Sequence, residues 1–365
     1  MNLIRTFHPI GQGAFYTERH KFDNRAFNVV YDCGSKTLKE VELERKISST
    51  FRKDESIDIL FISHFHEDHI NGLDFLKKHC KIKRVVIPLL DEKAKVLIKI
   101  SNFINGYSNT ELIDSPQAYF GEDVSIIFIE INSSENIKGN NIDDERREII
   151  TDIAGGRKIT FSSGTVFVPS ENAKWFFIPF NYKYDERSVE FENALHSEGL
   201  ALSDINTIND MYHYKTKVIK AYEAVNKNLN EVSMILFSGK KSDDSIHSFN
   251  YCHHFYMKHH FHFHQSGCLY LGDVNLRRKG IVTDIRSCLI KYWQFIGTLQ
   301  IPHHGSIDNF DGSILSQNMY SAVFSYGTNN IYGHPSDKVI GDVSANYTYP
   351  HLVTEEQSSI VIQVS

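Results

Sequence analysis

The 365-residue chain has few cysteines, and no run of apolar residues in it is long enough to cross a bilayer. Its five cysteines are odd in number and none forms a Cys-x-x-Cys pair, so a disulfide framework is not expected and a reducing compartment fits. The N-terminal segment lacks an apolar run of signal-peptide length. No window reaches the roughly 18 apolar residues that a membrane helix needs. These absences predict a soluble, cytoplasmic protein with no membrane segment.

The chain also has no excess of basic residues. Its formal net charge is −6, which argues against broad, non-specific binding of nucleic acid but leaves room for a local basic groove. We find no Pro- or Gly-rich linker and no internal repeat. We therefore predict one domain over residues 1–365, with an insertion at about 91–230 and a His-rich hairpin extension at about 240–266.

Histidine is abundant, with 19 residues, and several stand directly after apolar segments. Residues 57–62 (IDILFI) are apolar on both faces, as in a strand buried between layers. They lead into the polar stretch 63–72 (SHFHEDHING). The first 90 residues otherwise show strands and then alternating helix and strand, which is typical of an α/β architecture. Ligands in such folds lie at the carboxyl ends of the strands, where this stretch would be.

The middle third predicts further elements around that core. The patterns favour a helix at 92–104, a strand at 124–130, a polar helix at 143–153, a hairpin at 158–168, a strand at 175–180, and helices at 186–197 and 204–226.

The residue types in stretch 63–72 indicate a metal site. His64 and His66 are two apart, so in extended backbone their side chains project the same way. Asp68 and His69 follow and can face a neighbouring point. Imidazole and carboxylate are ligands of zinc, iron and manganese. The dense spacing at the end of a buried strand favours metal binding over a polar loop that contains histidines by chance.

Three more strand ends carry the same residue types. Asp273 follows an apolar strand in LYLGDVN, where it can bridge two cations or simply stabilise a turn. His303 and His304 end the strand in LQIPHHGS, and His334 lies in YGHP. Each signal is weak alone. Four strand ends bearing His or Asp together predict one site.

These motifs resemble a known superfamily. HFHEDH matches the HxHxDH signature of the metallo-β-lactamase fold, and its order with LYLGDV, LQIPHHGS and YGHP is similar to the soluble hydrolase domain of ComEC-type DNA-uptake proteins, over about residues 8–90 and 230–362. The resemblance implies an α/β fold, a four-layer αββα sandwich with metals at one edge of two facing sheets.

The resemblance also implies roles for individual residues. His64 and His66 would bind a first metal, Asp68 and His69 a second, and Asp273 would bridge them. Three histidines would complete the shell or act on the leaving group: His303, His304 and His334. Asp32 and Gly34, in NVVYDCG, resemble the strand end that braces the metal loop. The cofactor would be two Zn²⁺ ions, with Mn²⁺ as an alternative.

One ligand that the superfamily usually supplies is missing. The expected histidine before the Gly-Asp motif is absent, and Asn230 in NEVS is a substitute candidate. The segment 247–264 holds seven histidines among aromatics, of which His264 would be our choice for the missing ligand. We favour the interpretation that this segment is a half-buried extension of a hairpin rather than another metal site.

The function that these residues predict is metal-dependent hydrolysis by a phosphodiesterase or nuclease, acting on nucleic acid or a nucleotide. Asp68 would orient a water molecule, and His303 or His304 would protonate the leaving group. The alternatives are a hydrolase of a small ester or thioester, and a binding protein with a degraded site. A basic open groove would favour the nuclease, and a narrow apolar pocket the ester hydrolase. Residues 277–279 (RRK) either hold a phosphate or form a solvated helix start. No protein partner is indicated.

Overall fold

A computed structural model of the chain describes residues 2–22, 25–107, 110–131, 147–183, 186–205, 207–225, 232–240, 247–252, 262–263 and 265–364. Within these ranges, none of the helices combines the length and the apolar character that crossing a membrane requires. The strands, numbered in chain order, are β1 Asn2–Phe7, β2 Gly13–Phe22, β3 Arg25–Ser35, β4 Ser56–Ile57, β5 Ile59–Phe61, β6 Lys81–Ile82, β7 Arg84–Pro88, β8 Ser125–Ile129, β9 Arg147–Ile149, β10 Lys158–Phe161, β11 Val166–Val168, β12 Trp175–Lys183, β13 Val232–Lys240, β14 His247–Cys252, β15 His262–Phe263, β16 Gly267–Tyr270, β17 Ile296–Gln300, β18 Ser321–Ser325, β19 Tyr349–Val353 and β20 Val361–Val364.

The α-helices in the same ranges lie mostly between strands. They are α1 Glu40–Thr50, α2 Glu67–Ile70, α3 Leu73–His79, α4 Glu92–Ile104, α5 Glu111–Asp114, α6 Pro116–Phe120, α7 Glu186–Ser197, α8 Ile208–His213, α9 Lys215–Ala224, α10 Ile281–Cys288 and α11 Asp337–Ala345.

Two large sheets form the core. The first has the order β10-β8-β7-β5-β3-β2-β1-β20-β14-β15, and the second β19-β18-β17-β16-β13-β12-β11-β9. Strands β3, β5, β7, β8 and β10 are parallel, as are β16, β17, β18 and β19. Each sheet therefore has a parallel half, whose carboxyl ends can carry a site.

The two sheets face each other, with helices outside both. One apolar cluster fills the space between them, including Phe61 of the first sheet and Leu236 of the second. A second cluster joins the outer face of the first sheet to α1, α3 and α4, and a third joins the outer face of the second sheet to α10 and α11. Strand β5 shows why residues 59–62 (ILFI) are all apolar, because Leu60 faces the helices while Ile59 and Phe61 face the other sheet. The predicted four-layer αββα sandwich is confirmed.

Helix α4 is buried on two sides. Asp91 caps its start by accepting the Ala94 N–H at 2.8 Å. Ala94 packs on the first sheet, whereas Leu97 and Ile100 pack on the helices α7, α8 and α9. A helix with apolar residues on two faces is stable only between two partners. Segment 91–230 thus adds a helical layer outside α4, and it also contributes β8 to β12 to the two sheets.

Two predictions for the middle third are wrong. Segment 158–168 is not a hairpin, because β10 pairs with β8 in the first sheet and β11 pairs with β12 in the second. A turn at Gly164, where φ is +85°, carries the chain from one sheet to the other. The polar helix at 143–153 is also wrong in its described part, where β9 and a 3-10 turn replace it. The strand pairing of β9 with β11 overrides local helix propensity.

A buried ion pair lies between the sheets. The Arg5 Nε–H donates to Glu18 Oε1 at 2.7 Å, and Glu18 also accepts hydrogen bonds from Ser238 and Tyr270. Burial alone would raise the pKa of Glu18, but Arg5 and His20 hold it well below its usual range. A buried pair that is hydrogen-bonded across both sheets fixes how the two sheets face each other more than it adds stability.

His8 makes stability depend on pH. This residue is buried, stacks on Phe15 with ring centroids 4.4 Å apart and pairs with Thr17 at 2.9 Å. Burial, with smaller contributions from Lys46 and Arg19, lowers its pKa to about 3. The unfolded chain takes up this proton below about pH 6.5 while the folded chain does not. We expect the free energy of unfolding to fall by up to about 2 kcal/mol between pH 6.5 and 5 from His8 alone.

Urea unfolding of the wild type and of His8→Gln at several pH values tests this. The substitution should flatten the acid limb of the stability profile by the same amount, whatever its effect at pH 7. Parallel profiles for the two proteins would contradict a neutral, buried His8.

Candidate metal centre

The predicted ligands meet at the edge where the parallel halves of the two sheets end. His64, His66, Asp68 and His69 follow β5, and Asp273 follows β16. His303 and His304 follow β17, and His334 lies in the loop after β18. Because carboxyl ends of parallel strands share one edge, four distant segments of the chain bring their side chains together there.

Two glycines let the loop of residues 63–72, called the metal loop below, lie directly against the first sheet. A Cβ at Gly34 would come within 2.6 Å of the backbone of Asp68, and one at Gly13 within 2.5 Å of the Asp68 carbonyl oxygen. Helix α2, which carries Asp68 and His69, therefore packs on β2 and β3 through bare backbone. Gly34 therefore lies directly against the backbone of Asp68, and its supporting role stays a prediction.

Asp32 holds the metal loop through three hydrogen bonds. Its Oδ1 accepts the Ser63 N–H at 2.7 Å, and its Oδ2 accepts the Ser63 hydroxyl at 2.6 Å and His69 Nδ1–H at 2.7 Å. Since the Ser63 hydroxyl donates to Asp32, its oxygen accepts His64 Nδ1–H at 2.9 Å. Because Nδ1 of His64 and Nδ1 of His69 are both engaged in this network, their Nε2 atoms point away from Ser63 and Asp32, as metal ligation requires.

Asp273 faces those two histidines. Its Oδ2 lies 3.6 Å from His64 Nε2 and its Oδ1 lies 3.4 Å from His69 Nε2. A left-handed turn at Gly272, with φ +54°, brings the carboxylate to this position. The Gln300 side chain fixes the turn by accepting the Gly272 N–H at 2.8 Å. Asp273 is thus the central carboxylate of the site.

His304 completes a second group of ligand atoms. Its Nδ1–H donates to the Ser325 carbonyl at 2.8 Å, which leaves Nε2 facing Asp68 Oδ2 at 3.3 Å. His303 and His304 both have left-handed backbone, with φ of 48° and 57°. For residues other than glycine this conformation is uncommon, and it tends to occur where a side chain must be aimed.

These residues fit a divalent metal. Among the described residues, ligand atoms come within 4.8 Å of one another in two groups: His64, His69 and Asp273, and Asp68, His69 and His304. Nε2 of His64, His66 and His69 is buried without a hydrogen-bond partner. Buried polar atoms are rarely left unpaired, and those of His64 and His69 face the carboxylate oxygens of Asp273, so a cation between them satisfies both.

The grouping differs in part from the arrangement that the resemblance implies. His69 belongs to both groups, and His66 to neither, although its ring centroid lies 4.9 Å from that of His64. His303 and His334 line the cavity beside the groups, with their ring centroids 5.9 Å apart. Asn230 and His264, the candidates for the missing ligand, lie outside the described residues.

Electrostatics in the metal-free site favour positive charge between the carboxylates. Burial would raise the pKa of Asp273, but His69, His303 and His64 hold it well below its usual value. Burial would lower the pKa of His69, but Asp273 and Asp32 raise it well above its usual value. A proton on His69 therefore balances the charge that a metal ion would balance.

An open cavity of about 830 Å³ lies over these groups, part of it open to solvent. Side chains of the predicted site form its floor. Its walls add residues that sequence did not single out: Gln12, Lys36, Ser101, Asn102, Asn105, Tyr222 and Tyr332. Residues 277–279 are not part of its lining. The cavity is thus a polar pocket, neither the basic groove nor the narrow apolar pocket that would decide between the predicted functions.

Comparison with known proteins gives a family match and distant structural similarities. Residues 22–133 match the model of the metallo-beta-lactamase superfamily. None of the curated proteins matches the chain. Among solved structures, the chain is similar to the metallo-beta-lactamase fold protein YhfI from Bacillus subtilis, with 9% identity, coverage of 99% of each chain and a TM-score of 0.41.

Two further solved structures show similarity at the same low level. Zn²⁺-bound PqqB from Methylobacterium extorquens has 7% identity, covering 95% of this chain and 97% of that one, with a TM-score of 0.39. A diphosphatase from the PhnP family has 9% identity, covering 97% and 86%, with a TM-score of 0.33. The family match is to the superfamily as a whole, so the finer resemblance to ComEC-type domains stays a prediction. Residues 22–133 thus match the metallo-β-lactamase superfamily, and the four-layer fold agrees with that match.

Proposed function

We propose that the protein is a metal-dependent phosphodiesterase. The observation that carries this proposal is the convergence of three carboxylates and three imidazoles: Asp32 orients His64 and His69 toward Asp273, while His304 faces Asp68. A bound divalent metal would supply Lewis-acid activation of a water molecule and of the ester. The residues proposed to hold it are His64, His69, Asp273, Asp68 and His304, with His66 and His334 as further ligands.

The chain's own residues would position the water and move its protons. Burial would raise the pKa of Asp68, but His304 and His69 hold it well below its usual range, so it is a carboxylate at neutral pH. It can therefore accept a hydrogen bond from the water and orient it. In the reaction the water loses a proton to Asp68 as its oxygen bonds to phosphorus, the ester P–O bond breaks, and the leaving oxygen gains a proton from a histidine of the cavity.

His303 is better placed than His304 to serve the leaving group. Both nitrogens of His304 are engaged, by the Ser325 carbonyl and by Asp68. His303 lines the cavity and its Nδ1 is buried without a hydrogen-bond partner. Burial lowers the pKa of His303, so its ring is neutral at neutral pH and takes up from solvent the proton that it donates. We assign proton transfer to the leaving oxygen to His303.

Metal analysis and turnover of bis-p-nitrophenyl phosphate test the proposal. We expect the purified or reconstituted protein to hold zinc or manganese and to hydrolyse this phosphodiester, and chelation to abolish turnover. Asp68→Ala should lower kcat at least about 100-fold, because it removes the group that orients the water. Asp152→Ala, an exposed acid in the 3-10 turn after β9, is the matched control.

Each failure has a distinct meaning. A protein that binds no metal in cells or after reconstitution would exclude both hydrolase interpretations and leave a binding role. Metal-dependent turnover of p-nitrophenyl acetate without any phosphodiester turnover would favour the ester hydrolase. Full activity in Asp68→Ala would refute the assignment of Asp68.

A further inference from the structure

One basic side chain stands at the mouth of the cavity. Lys36 follows β3, and its Nζ lies 3.4 Å from the Tyr332 hydroxyl and 5.8 Å from the centroid of that ring. Tyr332 in turn stacks on His334, with centroids 5.9 Å apart and ring planes 19° from parallel. Among the described residues that line the cavity, Lys36 is the single lysine or arginine. It is held beside an aromatic surface, next to the proposed metal ligands.

The opposite wall comes from the helical layer. Ser101, Asn102 and Asn105 at the end of α4, with Tyr222 of α9, line that side of the cavity. The Asn102 side chain donates to the Phe65 carbonyl at 2.7 Å, which ties the wall to the metal loop itself. The apolar cluster of α4, α7, α8 and α9 backs it. The packed helices α4, α7, α8 and α9 therefore support this wall of the cavity beside the proposed metal ligands.

The charge of the cavity favours a ligand with one anionic group. Proteins that track a nucleic-acid strand neutralise several phosphates with a basic groove. Here the lining offers one ammonium group, that of Lys36, beside the carboxylates of Glu67, Asp68 and Asp273, and residues 277–279 lie elsewhere. The amide and hydroxyl groups of the wall and the ring of Tyr332 suit a neutral polar or flat group next to that anion.

We propose that Lys36 binds the anionic oxygen of the substrate phosphodiester, and that the cavity takes a small phosphodiester of nucleotide size rather than a nucleic-acid strand. This inference rests on the proposed function. Lys36 is a specificity-determining residue in this view, since a charge-assisted hydrogen bond to a non-bridging oxygen acts on binding of the anion. Lys36 donates a hydrogen bond to the Tyr332 hydroxyl, which holds the ammonium group at the wall of the cavity.

Lys36→Met in the metal-loaded protein tests the role of the charge. We expect KM for bis-p-nitrophenyl phosphate to rise about tenfold, with kcat within about twofold of wild type. Lys36→Arg should restore most of the loss. Lys53→Met, at an exposed lysine in the turn between α1 and β4, should behave as wild type. Calorimetric titration with inorganic phosphate, a readout that does not depend on turnover, should show the same weakening in Lys36→Met.

A size comparison tests the substrate class. We expect kcat/KM to be at least tenfold higher for thymidine 5′-p-nitrophenyl phosphate than for a single-stranded DNA oligonucleotide. An unchanged KM and unchanged phosphate affinity in Lys36→Met would overturn the role of Lys36, and equal or faster cleavage of the oligonucleotide would overturn the size limit. A wild type that hydrolyses no phosphodiester would instead refute the proposed function.

Discussion

Replacing Asp273 by asparagine is expected to remove bound metal and to lower phosphodiester turnover by about 1,000-fold or more. The side chain is only 7% exposed and lies between His64 and His69, each of which it faces with a different oxygen. Asparagine keeps the shape but has one acceptor oxygen in place of two, and it carries no charge. The variant therefore removes the central anion of the site without opening a cavity.

The stability of Asp273→Asn should distinguish loss of a ligand from loss of the fold. In the metal-free site the attraction of Asp273 to His69, His303 and His64 outweighs its repulsion by Asp68. Removing its charge should therefore lower the free energy of unfolding of the metal-free protein but leave a single cooperative urea transition. Elemental analysis, turnover and urea unfolding on one preparation check this, with Asp284→Asn on α10 as the matched control. A variant that retains a full metal complement and wild-type turnover would show that Asp273 is not a ligand.

The position of the site could be predicted from sequence because its signals are local. An apolar strand that ends in HFHEDH indicates both where the loop lies and which ligand atoms it offers. The Gly-Asp and HHG segments follow apolar strands in the same way. The four-layer fold followed from the resemblance that these motifs carry. Both depend on residues close together in the chain, which is the kind of information that a single sequence holds.

The residues that sequence missed reach the site through long-range packing. In the sequence, Lys36 is one charged residue of a polar stretch. Its place at the cavity depends on the fold, which brings the Tyr332 hydroxyl within reach of its Nζ. Asn102 is a polar residue inside an apolar helix, a weak signal that it has a buried partner, and that partner proves to be the Phe65 carbonyl. Its role depends on α4 packing beside the metal loop, which no local pattern encodes.

The wrong prediction of a hairpin at 158–168 also results from long-range packing. Two short strand patterns around Gly164 favour a hairpin locally, yet each strand finds a partner in a different sheet. The distribution of strands between sheets is decided by tertiary packing, which overrides the local turn signal. The same limit applied to the histidines, since spacing indicates that His64, His66 and His69 are candidate ligands but not which of them share a group.

Asp32→Asn is expected to weaken metal binding about 10- to 100-fold, although Asp32 belongs to neither group of ligand atoms. Its backbone is left-handed, with φ +54°, a conformation that asparagine also adopts readily, so the substitution adds no backbone strain. The asparagine oxygen must accept the Ser63 N–H, because that buried donor otherwise loses its partner. The amide nitrogen then faces His69 Nδ1, which has to accept instead of donate. His69 would carry its proton on Nε2, toward Asp273, and could no longer offer a lone pair there.

Competition with a chelator measures the metal affinity of Asp32→Asn. ¹⁵N chemical shifts of the metal-free protein report the tautomer of His69, a readout that general destabilisation would not move. Ser63→Ala is the matched comparison for the His69 readout, because it removes the hydroxyl that donates to Asp32 and accepts His64 Nδ1–H but leaves the His69 Nδ1–H bond to Asp32 intact. His69 should keep its Nδ1 proton in this variant. Equal affinity in wild type and Asp32→Asn, with His69 still protonated on Nδ1, would show that the brace does not determine how the ligand is oriented.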